Sequence, residues 1–334
     1  MLRVFPEIQQ TGIDFIDIGC RGELDERWRP VAPLLNYVGF DPDGAEVSRL
    51  EREPNPYRQR RYFPYAVGGT EGRATLHCTE SPYCWSLLQP RHVWMQRLNC
   101  YNSFRETGET SVPVTTLDAL AQRESLRADV LKIDTQGLEL PILSHAQHLL
   151  ADTLCVEAET GFVENYVGET VAAQVDEMLR ARGFLMFDIT VHRVGRNNPL
   201  AAWSVKQPFY CETLWLRVFL SDTSWRIPVE VPPRATAVKA LVICWVLGVA
   251  DYGVELAEHC RAKGVLTAQE LAHLRQSRVW ETRPTKDGAV TKFLRLLPGS
   301  VRRRLSAGAN RFAAAADAAR QRPHLLRSSG RRNR

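Results

Sequence analysis

Short apolar segments recur along the first 220 residues, and the gaps between them are long enough to hold a helix. The segments that predict strands are residues 13–18, 37–40, 62–67, 130–133, 154–157 and 184–189, with 213–219 as a last candidate. Runs that are apolar almost throughout suit parallel strands buried on both faces. Residues 170–182 show helical spacing and end at Gly183. Strands that alternate with helices predict an α/β fold with a doubly wound, mostly parallel sheet.

The character of the chain changes after residue 219. Residues 221–234 contain Pro228, Pro232 and Pro233 and are predicted to form a linker. Residues 235–260 and 267–278 predict two helices, and the second begins with the capping-box pair Thr267 and Glu270. We therefore predict an α/β domain over residues 1–220, a helical extension over 235–290 and a basic, partly disordered tail over 291–334.

Charge is unevenly distributed along the chain. The tail holds 12 of the 43 Lys and Arg residues and one of the 38 acidic residues, so the remainder is mildly acidic. A basic segment with interspersed aliphatic residues is compatible with peripheral contact with an anionic membrane, although Pro298 and Gly299 interrupt any single helix. A merely solubilising tail is favoured over this contact, and nucleic acid is the least favoured partner. The oligomeric state is not indicated.

The spacing of the cysteines and the length of the apolar runs indicate the cellular compartment of the protein. None of the eight cysteines forms a C-x-x-C pair, so zinc-ribbon spacing is absent and a reducing compartment is favoured. Residues 1–7 lack the long apolar core of a signal peptide. The longest apolar run, residues 240–250, is shorter than the roughly 20 residues of a spanning helix. We expect a cytoplasmic protein with no transmembrane segment, and no spacing calls for a metal.

A glycine turn follows the first predicted strand in the pattern D-x-G-x-x-G, formed by Asp17, Gly19 and Gly22. Glycine allows positive φ and close approach of a ligand to the backbone. The dinucleotide fingerprint needs three glycines and binds pyrophosphate at a helix N-terminus. Here carboxylates, which repel phosphate, occupy the presumed first helical turn. These residues are Glu23, Asp25 and Glu26.

Asp41 closes the second apolar run, 24 residues after Asp17. An acidic residue at this strand end accepts hydrogen bonds from ribose hydroxyls in nucleoside sites. S-adenosylmethionine carries a sulfonium and an ammonium but no phosphate, so it fits an acidic turn. The acids after the turn are also explained by a favourable interaction with a helix dipole. The combined pattern predicts a site for S-adenosylmethionine.

Four segments resemble the FkbM-type methyltransferases, a family of S-adenosylmethionine-dependent enzymes. They are F-I-D-I-G-C-R-G at 15–22, V-G-F-D-P at 38–42, A-V-G-G-T-E-G-R-A-T-L at 66–76, and T-L-D at 116–118 with L-K-I-D-T-Q-G-L-E at 131–139. The resemblance implies a Rossmann-like seven-stranded methyltransferase sheet with one antiparallel strand. It also implies methyl transfer to a hydroxyl of a sugar, glycan or natural product. The expected cofactor contacts are Asp17, Gly19, Cys20, Gly22, Asp41, Pro42, Ala66, Val67 and Asp134.

The chain departs from the family pattern at two places. Cys20 and Arg21 stand where the family has a small residue and Asn, and Arg21 is placed to pair with Glu23 or Asp41. Thr135, Gln136 and Leu138 replace residues of the family's V-E-G-A-E motif, and Gln136 removes an acid. These departures favour the alternative of a non-catalytic cofactor- or partner-binding module with the same fold.

Methyl transfer to a hydroxyl requires alignment with the methyl group and a proton acceptor. Asp134 ends the fourth strand and is a candidate base or cofactor contact, or an N-cap of the next helix. Glu157 ends the fifth strand, where an unpaired acid is costly to bury. Glu139 is the third candidate, with a solvated or ion-paired surface role favoured over catalysis. We expect residues 79–112 and 191–207 to select a small-molecule or glycan acceptor, with His192 as a weaker candidate base. Residues 79–112, which we call the aromatic segment, are equally explained by aromatic packing.

Overall fold

The computed structural model describes residues 1–22, 24–220, 231–276 and 279–280. These residues form two β-sheets. The larger sheet contains β1 (Ile13–Ile18), β2 (Leu35–Phe40), β3 (Gln59–Phe63), β7 (Val130–Ile133), β8 (Cys155–Gly161), β9 (Phe184–Val194) and β10 (Gln207–Arg217). The smaller sheet contains β4 (Ala66–Val67), β5 (Gly72–Thr79) and β6 (Glu106–Thr115).

The larger sheet has the strand order β3-β2-β1-β7-β8-β10-β9. Strands β3, β2, β1, β7 and β8 are parallel, and β10 runs antiparallel to both β8 and β9. The predicted seven-stranded methyltransferase sheet is therefore confirmed. The order of the strands reverses between β1 and β7, which places a ligand-binding crevice at the carboxyl ends of these two strands.

The helices are mostly short. They are α1 (Ile8–Thr11), α2 (Gly44–Arg52), α3 (His92–Met95), α4 (Leu117–Glu124), α5 (Glu139–Ser144), α6 (Gln147–Asp152), α7 (Ala172–Arg180), α8 (Arg234–Leu247), α9 (Ala250–Ala262) and α10 (Ala268–Leu274). Helix α7 lies within the predicted segment 170–182, and the capping box at the start of α10 forms as predicted. The single helix predicted over 235–260 is wrong. Gly248 adopts a left-handed conformation (φ 77°) that ends α8 before α9 begins.

Two further expectations are corrected near the sheet. The strand predicted over 62–67 is two strands in different sheets, because Pro64 has no N–H with which to continue β3. No α-helix follows the glycine turn in the described residues 24–34. A 3₁₀ helix, Arg29–Leu34, takes its place and contains Pro30 and Pro33. Asp25 consequently accepts hydrogen bonds from the backbone and side chain of Arg27, and Glu23 lies outside the described residues.

Apolar side chains cover both faces of the larger sheet. On one face, Phe15 and Trp28 belong to a cluster that includes Leu241 of α8 and Leu256 of α9. On the other face, Ile18 and Ile133 pack in a second cluster with residues of α4 and α7. Two helices of the predicted extension therefore help to bury the sheet. No described helix is long and apolar enough to cross a membrane. The basic tail and most of the predicted linker lie outside the described residues.

Candidate active site

The glycine turn brings the ends of three strands together. Gly19 has a φ of 80°, and a Cβ added there would lie 1.9 Å from the carbonyl oxygen of Asp134. Its backbone N–H donates to the carbonyl of Phe40, and the N–H of Asp134 donates to the carbonyl of Ile18, at 2.9 and 2.8 Å. Only glycine allows this approach, so the turn fixes the carboxyl ends of β1, β2 and β7 as one edge.

A first cavity opens at this edge. It encloses about 660 Å³ of empty space, including the part open to solvent. Six of the nine predicted cofactor residues line it: Gly19, Asp41, Pro42, Ala66, Val67 and Asp134. We call it the turn cavity.

The other three predicted cofactor residues are not among those that line the turn cavity. Asp17 is 3% exposed and accepts hydrogen bonds from the Tyr37 hydroxyl and the Lys132 ammonium, both at 2.8 Å. Cys20 and Gly22 line a separate depression on the side of Tyr37. Asp17, the acid of the D-x-G-x-x-G motif, thus stabilises the turn from inside the protein and does not line the turn cavity.

Asp41 is buried at the wall of the turn cavity and meets Arg21. Burial raises the pKa of Asp41 to about 6, and the nearby Arg21 guanidinium opposes this rise. Arg21 lies 3.5 Å from Asp41, donates to Asp43 at 2.7 Å and stacks over Trp85 at 5.1 Å from the ring centroid. The departure from the family at Arg21 therefore places a cation beside the acid predicted to bind ribose.

A second cavity adjoins the first. It shares Tyr83, Asp134 and Gln136 with the turn cavity and encloses about 1210 Å³ of empty space, including open solvent. Its wall includes Glu159 and Tyr210, which were not predicted as site residues. We call it the second cavity. Its contact with the turn cavity makes a junction between a cofactor and an acceptor possible.

Gln136 bridges two carboxyl groups at this junction. Its side-chain nitrogen donates to Asp134 Oδ1 at 2.9 Å and to Glu159 Oε1 at 2.7 Å. Its amide oxygen lies 3.0 Å from the Tyr166 hydroxyl. Gln136 has a φ of 58°, which is uncommon for a residue other than glycine. Gln136, which replaces an acid of the family pattern, therefore links the carboxyl groups of Asp134 and Glu159.

The bridged carboxyl groups have perturbed proton affinities. Burial, followed by the charge of Asp134, raises the pKa of Glu159 to about 9. Burial also raises the pKa of Asp134, although Lys132 and Gln136 oppose the rise. Two neighbouring acids in a desolvated site titrate together. At neutral pH the pair therefore retains a proton in the protein without a bound ligand.

The predicted catalytic residue Glu157 lies away from both cavities. It is buried on the face of the sheet that holds Trp28, whose indole N–H donates to it at 2.9 Å, and Arg27 donates at 3.2 Å. The strand register places Asp17, Lys132 and Glu157 side by side across β1, β7 and β8. This row of charges joins the sheet to the 3₁₀ segment of the chain.

Glu139 supports the turn after β7. It is fully buried, so the surface role favoured for it is wrong. One carboxylate oxygen accepts from the Thr135 N–H and hydroxyl and from the Gly137 N–H, at 3.0–3.2 Å. Burial raises its pKa to about 7. Glu139 thus holds the loop that carries Gln136. The N-cap position of α5 is occupied by Leu138 and not by Asp134.

The aromatic segment predicted to select the substrate contributes to both cavities. Tyr83, Trp85 and Ser86 line the turn cavity, and Tyr83 reaches the second cavity as well. His192 also lines the second cavity, where it stacks on Tyr210 at 4.3 Å between ring centroids. No regular spacing marks these aromatic residues in the sequence, so their individual positions were not predictable.

A seven-stranded sheet of this order, with a glycine turn and an acid-walled cavity at the switch point, defines a Rossmann-like methyltransferase domain. Residues 29–186 match the methyltransferase FkbM domain. This match spans somewhat less than half of the chain and identifies residues 29–186 as an FkbM methyltransferase domain. The predicted family is confirmed, and its cofactor is S-adenosylmethionine.

Solved structures of other methyltransferases are distantly similar to this chain. One is the magnesium protoporphyrin IX methyltransferase of Synechocystis PCC 6803 with bound SAM, at 11% identity and a TM-score of 0.30 over 65% of this chain and 78% of that one. Another is a putative tRNA (m1A22) methyltransferase of Streptococcus pneumoniae, at 10% identity and a TM-score of 0.33 over 81% of this chain and 97% of that one. A search of the curated proteins finds no match.

Proposed function

We propose that the domain transfers a methyl group from S-adenosylmethionine to a hydroxyl of a small-molecule or glycan acceptor held in the second cavity. The observation that supports this is the meeting of the two cavities at Asp134 and Gln136, within one hydrogen bond of Glu159. Transfer in line requires the two reactants to lie at adjoining positions. The shared wall provides such a position.

The residues of the turn cavity fit the cofactor. The buried Asp41 carboxylate is an acceptor for the ribose hydroxyls, and its Oδ1 already accepts the Asp43 N–H at 2.8 Å. Ala66 and Val67 form an apolar wall for the adenine. Asp134 supplies negative charge toward the cationic end of the molecule. When bound, S-adenosylmethionine supplies a methyl group activated by its sulfonium.

Glu159 is the residue we assign as proton acceptor, in preference to the sequence candidates Glu157 and Glu139. It lines the second cavity, whereas Glu157 is engaged by Arg27 and Trp28 elsewhere. A cation held beside Asp134 favours the ionised form of both carboxyl groups. Glu159 then accepts the proton of the acceptor hydroxyl. Gln136 holds its carboxylate in place through the hydrogen bond at 2.7 Å.

The test combines cofactor binding with transfer. We expect S-adenosylmethionine to raise the Tm of the wild type, and Asp41→Asn to remove this shift. Glu159→Gln should retain cofactor binding and lose at least about 100-fold in kcat, the scale of a general base. Glu164→Gln, an exposed acid paired with Arg91, is the matched control. A wild-type chain with no Tm shift at saturating cofactor would contradict the proposal.

A second candidate function is a cofactor- or partner-binding module without catalysis. The observation that favours it is Arg21, which stands 3.5 Å from Asp41 where the family has Asn. Under this alternative, cofactor binds weakly and no acceptor of a broad panel is methylated. Arg21→Asn should then tighten cofactor binding without producing transfer. Transfer by the wild type to any hydroxyl acceptor rules this alternative out.

A further inference from the structure

A cluster of a histidine and two glutamates lies in the smaller sheet, outside both cavities. Among the described residues, His77, Glu106 and Glu109 each offer a ligand atom, and these atoms lie within 4.8 Å of one another. His77 Nδ1 is 2.8 Å from Glu106 Oε1 and 3.4 Å from Glu109 Oε1. We propose that these three residues bind a divalent transition-metal cation, with Zn²⁺ as the best fit.

A β-bulge brings the two glutamates to the same side of β6. His77 lies directly opposite Glu109 in the register of β5 and β6. Residues three apart on a regular strand point to opposite faces. The register shifts so that Gly108 faces Cys78 while Glu106 faces Thr79. The extra residue turns Glu106 toward His77, and bulges of this kind re-aim side chains at functional sites.

The separations between ligand atoms suit a small cation. Bonds of about 2.0–2.2 Å from zinc to nitrogen and oxygen place tetrahedral ligands roughly 3.3–3.5 Å apart. The observed 2.8 and 3.4 Å therefore require only small movements. Imidazole with carboxylates is a donor set that suits Zn²⁺. Two carboxylates and a neutral imidazole also balance the charge of a divalent ion.

His92 supports the cluster from the other side of Glu106. Its Nε2 lies 2.7 Å from Glu106 Oε2, the oxygen that does not face His77. The Tyr101 hydroxyl lies 3.5 Å from the other ring nitrogen of His92. Partners of this kind orient the groups that ligate a metal. They hold Glu106 in the position from which it reaches the proposed ion.

The site lies at the two ends of a stretch of the aromatic segment that lines both cavities. His77 precedes residues 80–105 and Glu106 follows them, and within this stretch Tyr83 and Trp85 line the turn cavity. A metal bound to both ends closes this segment as a loop. Such closure lowers the entropy of the open state and couples metal binding to local folding. The ion thus has a structural role, and the site stands independently of the proposed methyl transfer.

The primary test is calorimetric titration of the chelator-treated full chain with Zn²⁺. We expect one equivalent to bind, with at least tenfold weaker binding in Glu109→Gln and His77→Ala and no change in His148→Ala, an exposed histidine elsewhere. Glu109 has a largely exposed side chain, so Glu109→Gln should keep the wild-type Tm in the absence of metal. Equal affinity in the wild type and Glu109→Gln would overturn the site, because Glu109 would then not be a ligand of the bound ion.

A second measurement tests the structural role. Hydrogen exchange of residues 80–105 should slow when Zn²⁺ is added to the wild type, and should not change in Glu109→Gln. Residues 172–180 in α7, which lie away from the cluster, serve as the internal reference. If hydrogen exchange of residues 80–105 in the wild type is the same with and without Zn²⁺, the proposed closure of this segment is contradicted.

Discussion

Binding of S-adenosylmethionine should expel a proton from the carboxyl pair of Asp134 and Glu159. Burial and the neighbouring acid raise the pKa of Glu159 to about 9, so its free form is mostly protonated at pH 8. A positive charge at about 5 Å in an effective dielectric of about 20 attracts a carboxylate by about 3 kcal/mol. This energy lowers the pKa by about two units, to about 7.

The sign and size of the pH dependence follow from this shift. Because the pKa is lower in the complex than in the free protein, affinity should rise with pH between about 7 and 9 and level off outside this range. The total gain is about 100-fold, which corresponds to two pKa units. Near pH 8, about 0.8 proton should leave per cofactor bound.

Calorimetry in buffers of different ionisation enthalpy measures this proton release directly. The slope of the observed binding enthalpy against buffer enthalpy gives the number of protons exchanged. Glu159→Gln should lose the release and most of the pH dependence, while the control Glu164→Gln keeps both. A proton that comes from the ligand's own amine would persist in Glu159→Gln. Equal slopes in the wild type and Glu159→Gln would refute the assignment of the proton to this pair.

Two substitutions test the support of the site. Gly19→Ala should destabilise the domain by more than the roughly 1–2 kcal/mol of a left-handed non-glycine residue, because its Cβ would also meet the Asp134 carbonyl at 1.9 Å; denaturant unfolding measures this, and a change of about 2 kcal/mol or less, which is the size of that penalty alone, would contradict it. Trp28→Phe should cost about 1–3 kcal/mol in the same assay, because it leaves buried Glu157 without the indole donor, and an unchanged unfolding midpoint would show that Arg27 suffices.

The parts of the fold that the sequence predicted are those determined locally. Strands β1, β2 and β7 are apolar because both of their faces are buried, and that pattern is visible without partners. The glycine turn was predictable for a related reason, since a positive φ beside a strand end calls for glycine. The 3₁₀ segment was within reach as well, because Pro30 and Pro33 in the sequence oppose an α-helix there.

The roles of the acids depend on contacts between distant parts of the chain. Glu157 and Glu159 lie two residues apart on β8 and therefore point to the same face of the sheet. Trp28 covers Glu157, whereas Glu159, nearer the carboxyl end of the strand, lines the second cavity. Which of the two reaches the ligand depends on what packs against this face at each position along the strand. Trp28 comes from a segment 129 residues away in sequence. A prediction from strand ends alone therefore finds the pair of acids but not the member that reaches the cavity.

Gln136 shows how a departure from the family pattern acquires a physical meaning. A glutamate at this position would add a third carboxylate within hydrogen-bond distance of Asp134 and Glu159, in a site where burial already raises the pKa of both. An amide instead donates to both carboxyl groups and carries no charge. The substitution thus removes a charge that desolvation would have opposed. It keeps one ionisable acid on each side of the junction, and a proton acceptor for the second cavity has to be sought at Glu159.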